Sequence, residues 1–359
     1  MYSKALKNAS FFQKNLMEWD RIDNKRHMPW KREKNPYKIW LSEIILQQTR
    51  VEQGTPYYLN FIKKYPNVKA LSNADEKELF KLWEGLGYYN RCRNLLYTAK
   101  WISNELKGCF PNTYDSLLEL KGVGPYTAAA IASFAYELPH AVVDGNVTRI
   151  LSRFFGINTP IDASDGKLFF SKLADSLLDK KNPGRYNQAI MDFGATVCKP
   201  KTPNCDVCPF SALCVAFNTN KIADFPVKAK SIQKKVRWLY FTIASYKGKY
   251  LIRRRDEKDI WRGLYEFHLT ESSIEANPSK IAKKVAQKAF NHPKTSPIKL
   301  SQSFTQQLTH QTVHVSFIHL NLLKPMQLDG YEWLSKKMIQ ELGFPRVIAD
   351  YLKSSGIVN

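Results

Sequence analysis

The chain has 359 residues, 44% of them hydrophobic, enough for two or three packed domains and too many for a disordered chain. No apolar run reaches the roughly 18 residues of a membrane span, and the opening MYSKALKNASFF lacks the basic-then-apolar layout of a secretory leader, so an intracellular, cytoplasmic protein without a membrane partner is expected. Lys and Arg number 54 against 32 Asp and Glu, a formal charge of +22 that attracts polyanions, above all nucleic acid.

Residues 1–220 read as almost wholly helical. Pro36 opens a helix over PYKIWLSEIILQQTRV, as proline at a first turn can. Within it Glu43 lies between Ile39 and Trp40 a turn earlier and Leu46 and Gln47 a turn later; taken alone, such a glutamate more often faces solvent. Leu79, Leu82, Trp83 and Leu86 keep helical spacing, and so do Cys92, Leu95, Leu96, Ala99, Ile102 and Leu106 in the next run. Cys92 falls on the apolar face and reads as core.

Two further helical patterns, Tyr114 to Leu120 and Thr127 to Phe134, flank the turn in LKGVGPYTAAA, which makes a helix–hairpin–helix. Gly122 and Gly124 carry no side chain, so the turn can press its N–H groups against a phosphate at the next helix's N-terminus. An ordinary αα-turn is the alternative, and the basic charge favours DNA. Asp144, in VVDGNV, precedes a helix whose inner face is Val147, Ile150, Leu151 and Phe154. It reads as an N-cap, a post that a catalytic carboxylate can also fill.

Cys198, Cys205, Cys208 and Cys214 follow C-x6-C-x2-C-x5-C. Four thiolates so close can wrap one metal centre, and the spacing leaves zinc and a cubane iron–sulfur cluster both open. Cysteines in an intracellular chain argue against a disulfide framework. Lys199 and Lys201 sit on the loop KPKTPN between the first two, as phosphate contacts or as solvated residues. Residues 221–236 read as a basic linker. Beyond it, WLYFTIASYKGKYLIRRR reads as two strands about a Lys247-Gly248 turn, GLYEFHL and HVSFIHLNLL as strands, and Pro278 to Phe290 and Ser335 to Leu342 as helices. A smaller α+β domain therefore follows the helical one.

The run L-x-G-V-G-x-x-T-A, an aspartate some twenty residues on and the four spaced cysteines resemble the helix–hairpin–helix DNA glycosylases with an iron–sulfur loop. MPWKREKNPYKIWLSEIILQQTRV, GLGYYNRCRNL and YNQAIMDFGATVC resemble motifs of adenine glycosylases of the MutY family. The resemblance implies a mostly α glycosylase core with an iron–sulfur loop plus a C-terminal α+β Nudix-like domain. It implies a catalytic region over 1–220, with a six-helix barrel over about 30–140, the hairpin at 113–134 and a cluster subdomain from 1–29 and 141–220. After the linker at 221–236, residues 237–359 form the 8-oxoguanine recognition domain. That domain lacks the R-E-x-x-E-E metal box, so no pyrophosphatase activity is expected.

The same resemblance implies roles. Glu43 protonates the imidazole ring of the purine and later activates water, and Asp144 stabilises the cationic sugar. Asn146 positions water or Asp144. Tyr126 stands where bifunctional relatives carry a lysine; a phenol forms no Schiff base, so a monofunctional enzyme is implied. Arg26, Trp30 and Leu46 line an adenine pocket, with Thr49 beside them, and Gln48 and Tyr88 wedge the duplex. Leu308-Thr309-His310 stands for the family's F-S-H loop, with Thr309 and His310 reading 8-oxoguanine. One [4Fe–4S] cluster, duplex DNA with A:8-oxoguanine or A:G mispairs, a monomeric state and, in a bacterium, association with the nucleoid are implied. An endonuclease III-like glycosylase with lyase activity and a non-enzymatic iron–sulfur DNA-binding protein are the rival readings.

Overall fold

The computed structural model describes residues 8–229, 233–291 and 298–358; the first seven residues, Lys230 to Ile232 inside the expected linker, residues 292–297 and Asn359 lie outside them. By its contacts the chain divides into two units, Met1–Asn73 with Asn94–Ser231, and Ala74–Arg93 with Ile232–Asn359. Ala74–Arg93, a segment that the sequence assigns to the helical region, thus groups with the C-terminal residues. Among the described residues no helix is long and apolar enough to cross a membrane.

The helices begin with α1 Ala9–Ile22, α2 Pro36–Leu46, α3 Val51–Lys64, α4 Val68–Ser72, α5 Glu76–Leu82 and α6 Asn90–Glu105. They continue with α7 Tyr114–Leu118, α8 Pro125–Tyr136, α9 Gly145–Phe155, α10 Ser164–Leu177, α11 Pro183–Thr196 and α12 Val215–Asn218. Helix α2 stops at Leu46, five residues short of the expected run. Gln48 takes a left-handed backbone (φ 56°), which no α-helix accommodates, and α3 starts afresh at Val51. The first unit's core packs Phe12 and Leu16 of α1 against Phe154 and Phe210, with the Phe12 and Phe210 rings stacked at 4.6 Å. The start of the expected linker is tied down: Phe225 is buried, Val227 O accepts from Ile161 N, and Ala229 N donates to Asp162 Oδ1.

The second unit contains a mixed sheet. Its central strand β1, Lys235–Tyr246, runs parallel to β7, Gln311–Asn321, over eleven paired positions. It pairs antiparallel with β4, His268–Ser272, and turns through Lys247 and Gly248 into β2, Lys249–Arg254. Both turn residues have positive φ (44° and 76°), as a two-residue hairpin requires. The expected strand GLYEFHL is split into β3, Tyr265–Glu266, and β4, with buried Phe267 between them. Shorter strands β5 Lys299–Leu300, β6 Phe304–Gln307 and β8 Glu332–Ser335 extend the sheet, with α13 Pro278–Lys288, α14 Lys336–Gln340 and α15 Arg346–Ser354 as its helices.

Candidate active site

Helix α2 explains how a glutamate comes to be buried. Its sequence is apolar nearly all round, so every residue from Ile39 to Ile45 is buried, Glu43 included at 6% exposure. The start is fixed by Asn35, whose side chain accepts from Tyr37 N at 3.0 Å. Helix α8 packs against it with small residues, Ala128 to Ala130, and Gln47 Nε2 donates to Thr127 Oγ1 at 3.3 Å. A cavity of about 620 Å³ opens beside these two helices, large enough for a nucleobase.

Glu43, Tyr126, Asp144 and Asn146 all line that cavity. Burial pushes the Glu43 carboxyl up to about 7; a hydrogen bond from the Tyr126 hydroxyl pulls it back and the Asp144 charge adds to the rise. Asp144 caps α9, accepting from Val147 N at 2.8 Å, and Asn146 Nδ2 donates to its second oxygen at 2.7 Å. Burial raises the Asp144 pKa, against these hydrogen bonds and the Arg149 guanidinium, which favour its charge. The cap therefore holds a carboxylate that its surroundings also desolvate. Tyr126 is half-buried, and desolvation together with Glu43 and Asp144 keeps its phenol protonated. Its hydroxyl also reaches Met191 Sδ at 3.3 Å.

The same cavity gathers Arg26, Trp30, Leu46, Gln48 and Thr49. Trp30 is also core, meeting Tyr58 edge-on at 5.1 Å. Arg26 Nη1 pairs with Asp192 at 3.0 Å, and Lys31 holds the other oxygen of the same fully buried carboxylate at 2.9 Å. Gln188 donates to Asp192 as well, at 2.9 Å. Gln188 and Met191, one turn apart on α11, line the cavity and were not singled out in the sequence; the motif YNQAIMDFGATVC contains both, but helical spacing alone does not say what a face will meet.

In the hairpin Gly122 has φ 85°, and a Cβ there would stand 2.9 Å from Asn94 Cβ. Gly124 has an ordinary φ of −97° and open space where a side chain would be, immediately before α8. Lys121 Nζ lies 4.2 Å from the centroid of the Tyr97 ring. Neither glycine belongs to the cavity lining.

In the second unit Tyr88 is 45% exposed, with φ 47° and the Arg91 guanidinium 5.4 Å from its ring, so it is not a core tyrosine. Its hydroxyl is hydrogen-bonded to Thr309 Oγ1, joining two residues distant in sequence. His310 is exposed and its carbonyl accepts from Lys235 N at 3.0 Å.

The four spaced cysteines are free thiols and half-buried, and Cys198, Cys208 and Cys214 pack against the first unit's core. Burial raises Cys205, Cys208 and Cys214, and the Cys198 charge raises each further, so the four groups feel one another. Among the described residues no three His, Cys, Asp or Glu side chains are arranged to hold a single metal ion. Arg153 fixes the loop, donating to Cys198 Sγ at 3.5 Å and to Lys199 O and Pro200 O at 2.8 Å. Lys199 is half-buried and Lys201 exposed. Arg149 joins the loop to the cap, donating to Cys198 O at 2.9 Å and to Asn146 Oδ1 at 2.8 Å.

Residues 41–173 match the HhH-GPD superfamily of base excision DNA repair proteins, and residues 239–354 match the NUDIX domain. The chain is similar to the adenine DNA glycosylase of Buchnera aphidicola subsp. Schizaphis graminum, 33% identical over 350 residues covering 95% of this chain and 98% of that one. It is 40% identical to the adenine DNA glycosylase of Homo sapiens over 214 residues, which cover 57% of this chain and 39% of the human one. Among solved structures, a thermostable thymine-DNA glycosylase superposes with a TM-score of 0.55 at 28% identity, over 59% of this chain and 98% of that one. An endonuclease III in a DNA complex, at 22% identity and a TM-score of 0.51 over 59% of this chain and 97% of that one, shares the fold.

Proposed function

The chain belongs to the adenine DNA glycosylase family, and we propose that it removes adenine mispaired with 8-oxoguanine or guanine from duplex DNA by acid-assisted hydrolysis, leaving the strand uncut. The observation that carries this reading is the shared cavity, in which a buried Glu43 with a pKa near 7 meets a second carboxylate, Asp144. Breaking a purine–deoxyribose bond needs a proton on the leaving base and a negative charge near the sugar; two carboxyls in different protonation states supply both.

In this mechanism the adenine leaves the duplex and enters the cavity. Glu43 donates its proton to the imidazole-ring nitrogen, the glycosidic electron pair passes to the base, and the Asp144 carboxylate stabilises the oxocarbenium-like sugar. The ionised Glu43 then accepts a proton from the water that adds to the sugar carbon. Asn146 holds Asp144 in place. Tyr126 offers no amine, so the strand is not cleaved through a Schiff base. Outside the cavity, the open backbone at Gly124 suits close approach of a phosphate, and Lys199 and Lys201 provide further phosphate contacts. Gln48 and Tyr88, both held in left-handed backbone, serve as the wedges; Thr309 and His310 read the opposite base.

The thiols of Cys198, Cys205, Cys208 and Cys214 suit one [4Fe–4S] cluster: four half-buried cysteines on one short stretch of chain match the four thiolates that such a centre takes. When bound, the cluster supplies a rigid tie for the loop. The protein acts as a monomer on a duplex.

Single-turnover reactions on A:8-oxoguanine, A:G and oxidised-pyrimidine duplexes, analysed with and without alkali, test the reading. Adenine strands should break only after alkali. Unaided cleavage, or preference for the oxidised pyrimidine, overturns it.

A further inference from the structure

The Tyr126 hydroxyl has one proton and two acceptors: the Glu43 carboxyl, and Met191 Sδ at 3.3 Å. All three side chains line the same cavity; Met191 is 8% exposed and Glu43 6%, while Tyr126 is half-buried, so the two acceptors are fixed protein partners for the hydroxyl. An ionised carboxylate is a strong acceptor and a thioether a weak one. The hydroxyl therefore belongs to Glu43 when Glu43 is charged. When Glu43 carries its own proton the preference shrinks, and the thioether offers the hydroxyl a second seat.

We propose that Met191 is a positioning residue for the acid: by accepting the Tyr126 hydroxyl whenever Glu43 is protonated, it stabilises the proton-loaded form of the site. An apolar residue of the same size would leave the hydroxyl with Glu43 as its one protein acceptor of these two in both states, and so favour the carboxylate. This rests on the glycosylase reading in assigning Glu43 the acid's role. The charged and titratable groups facing Glu43 are Asp144 from the cap of α9 and Tyr126 from α8. Arg26, from the segment after α1, and Arg50 and Glu52, at the start of α3, line the same cavity; α11 contributes the neutral Gln188 and Met191.

The test is M191L, which conserves volume and removes the sulfur. The pH profile of single-turnover adenine excision should keep its shape, with the alkaline limb displaced to lower pH by about 0.5 unit, the scale of one weak hydrogen bond. In a Tyr126→Phe background, which has no hydroxyl to share, the same substitution should leave the limb in place. An unmoved or upward-moving limb in M191L, or an equal shift in the Phe background, overturns the proposal. The folded-state midpoint of Glu43, read without substrate from the pH dependence of urea denaturation, must move by the same amount. If the native chain excises no adenine, the functional reading fails while this second measurement still decides the role of Met191.

Discussion

Replacing Glu43 by Gln should make the protein more stable as the pH rises. The folded-state carboxyl titrates at about 7 against an ordinary value of 4.5. Below the ordinary value both folded and unfolded chains hold the proton, and burial of the acid carries no ionic penalty. Between the two values the unfolded chain releases a proton that the folded chain keeps, so stability falls by about 1.4 kcal/mol for each pH unit. Above the folded value the loss is complete, at about 3 kcal/mol. Glutamine has no proton to release, and its carbonyl still accepts the Tyr126 hydroxyl. The Gln variant and the native chain should therefore lie within about 1 kcal/mol of each other near pH 4.5 and separate by about 3 kcal/mol near pH 8.5, with the variant the more stable. Urea denaturation at the two pH values, followed by a probe in the first unit, measures the difference. Carboxyls remote from Glu43 titrate alike in both proteins and cancel; Asp144, coupled to Glu43, contributes to the same difference. Parallel pH dependences would refute the desolvated acid. The same variant should bind a mispaired duplex and excise nothing.

Gly122→Ala should cost about 1–2 kcal/mol for its left-handed backbone, with a further loss as Asn94 is pushed aside, seen as a lower melting temperature. Gly124→Ala meets open space at an ordinary φ and should leave stability within about 0.5 kcal/mol while weakening duplex binding, which a filter-binding titration separates from a folding defect. Cys208→Ser should give a protein without the brown colour of an iron–sulfur centre and with the loop from Cys198 to Cys214 open to protease, checked by visible absorption and limited digestion. Removing the Tyr97 ring should free Lys121 and weaken duplex binding about two- to five-fold at low salt, with Tyr97→Phe retaining the native affinity.

Much of the site could be read from local chemistry. Asp144 announces itself as a cap by standing before Gly-Asn and an amphipathic helix, and the structure places its oxygen on Val147 N. The Lys247-Gly248 turn is set by which residues tolerate positive φ. What could not be read depends on distant partners. Asp192 reads as one more polar residue of α11, yet it is fully buried because Arg26, Lys31 and Gln188 converge on it, two of them from the far end of the chain. The stop of α2 at Leu46 was hidden because glutamine does not signal a left-handed backbone. Burial of Glu43 lay between: the apolar sequence of α2 points to it, while the residue type points to the surface.

The make-up of the second unit bears on synthesis. Glu84 accepts from Phe344 N at 2.9 Å, Lys81 donates to Leu342 O at 3.1 Å, and Arg254 pairs with Glu76 at 3.0 Å. None of these contacts can form until the ribosome has passed the 138 residues from 94 to 231 that separate the two parts of the unit. Phe344 follows Glu84 by 260 residues, which at about 5–20 residues per second is a wait of about 13–52 s. During it, Phe80 lacks Gly263 and Gly343, which later lie against it, so Ala74–Arg93 is a segment that a holding chaperone could cover.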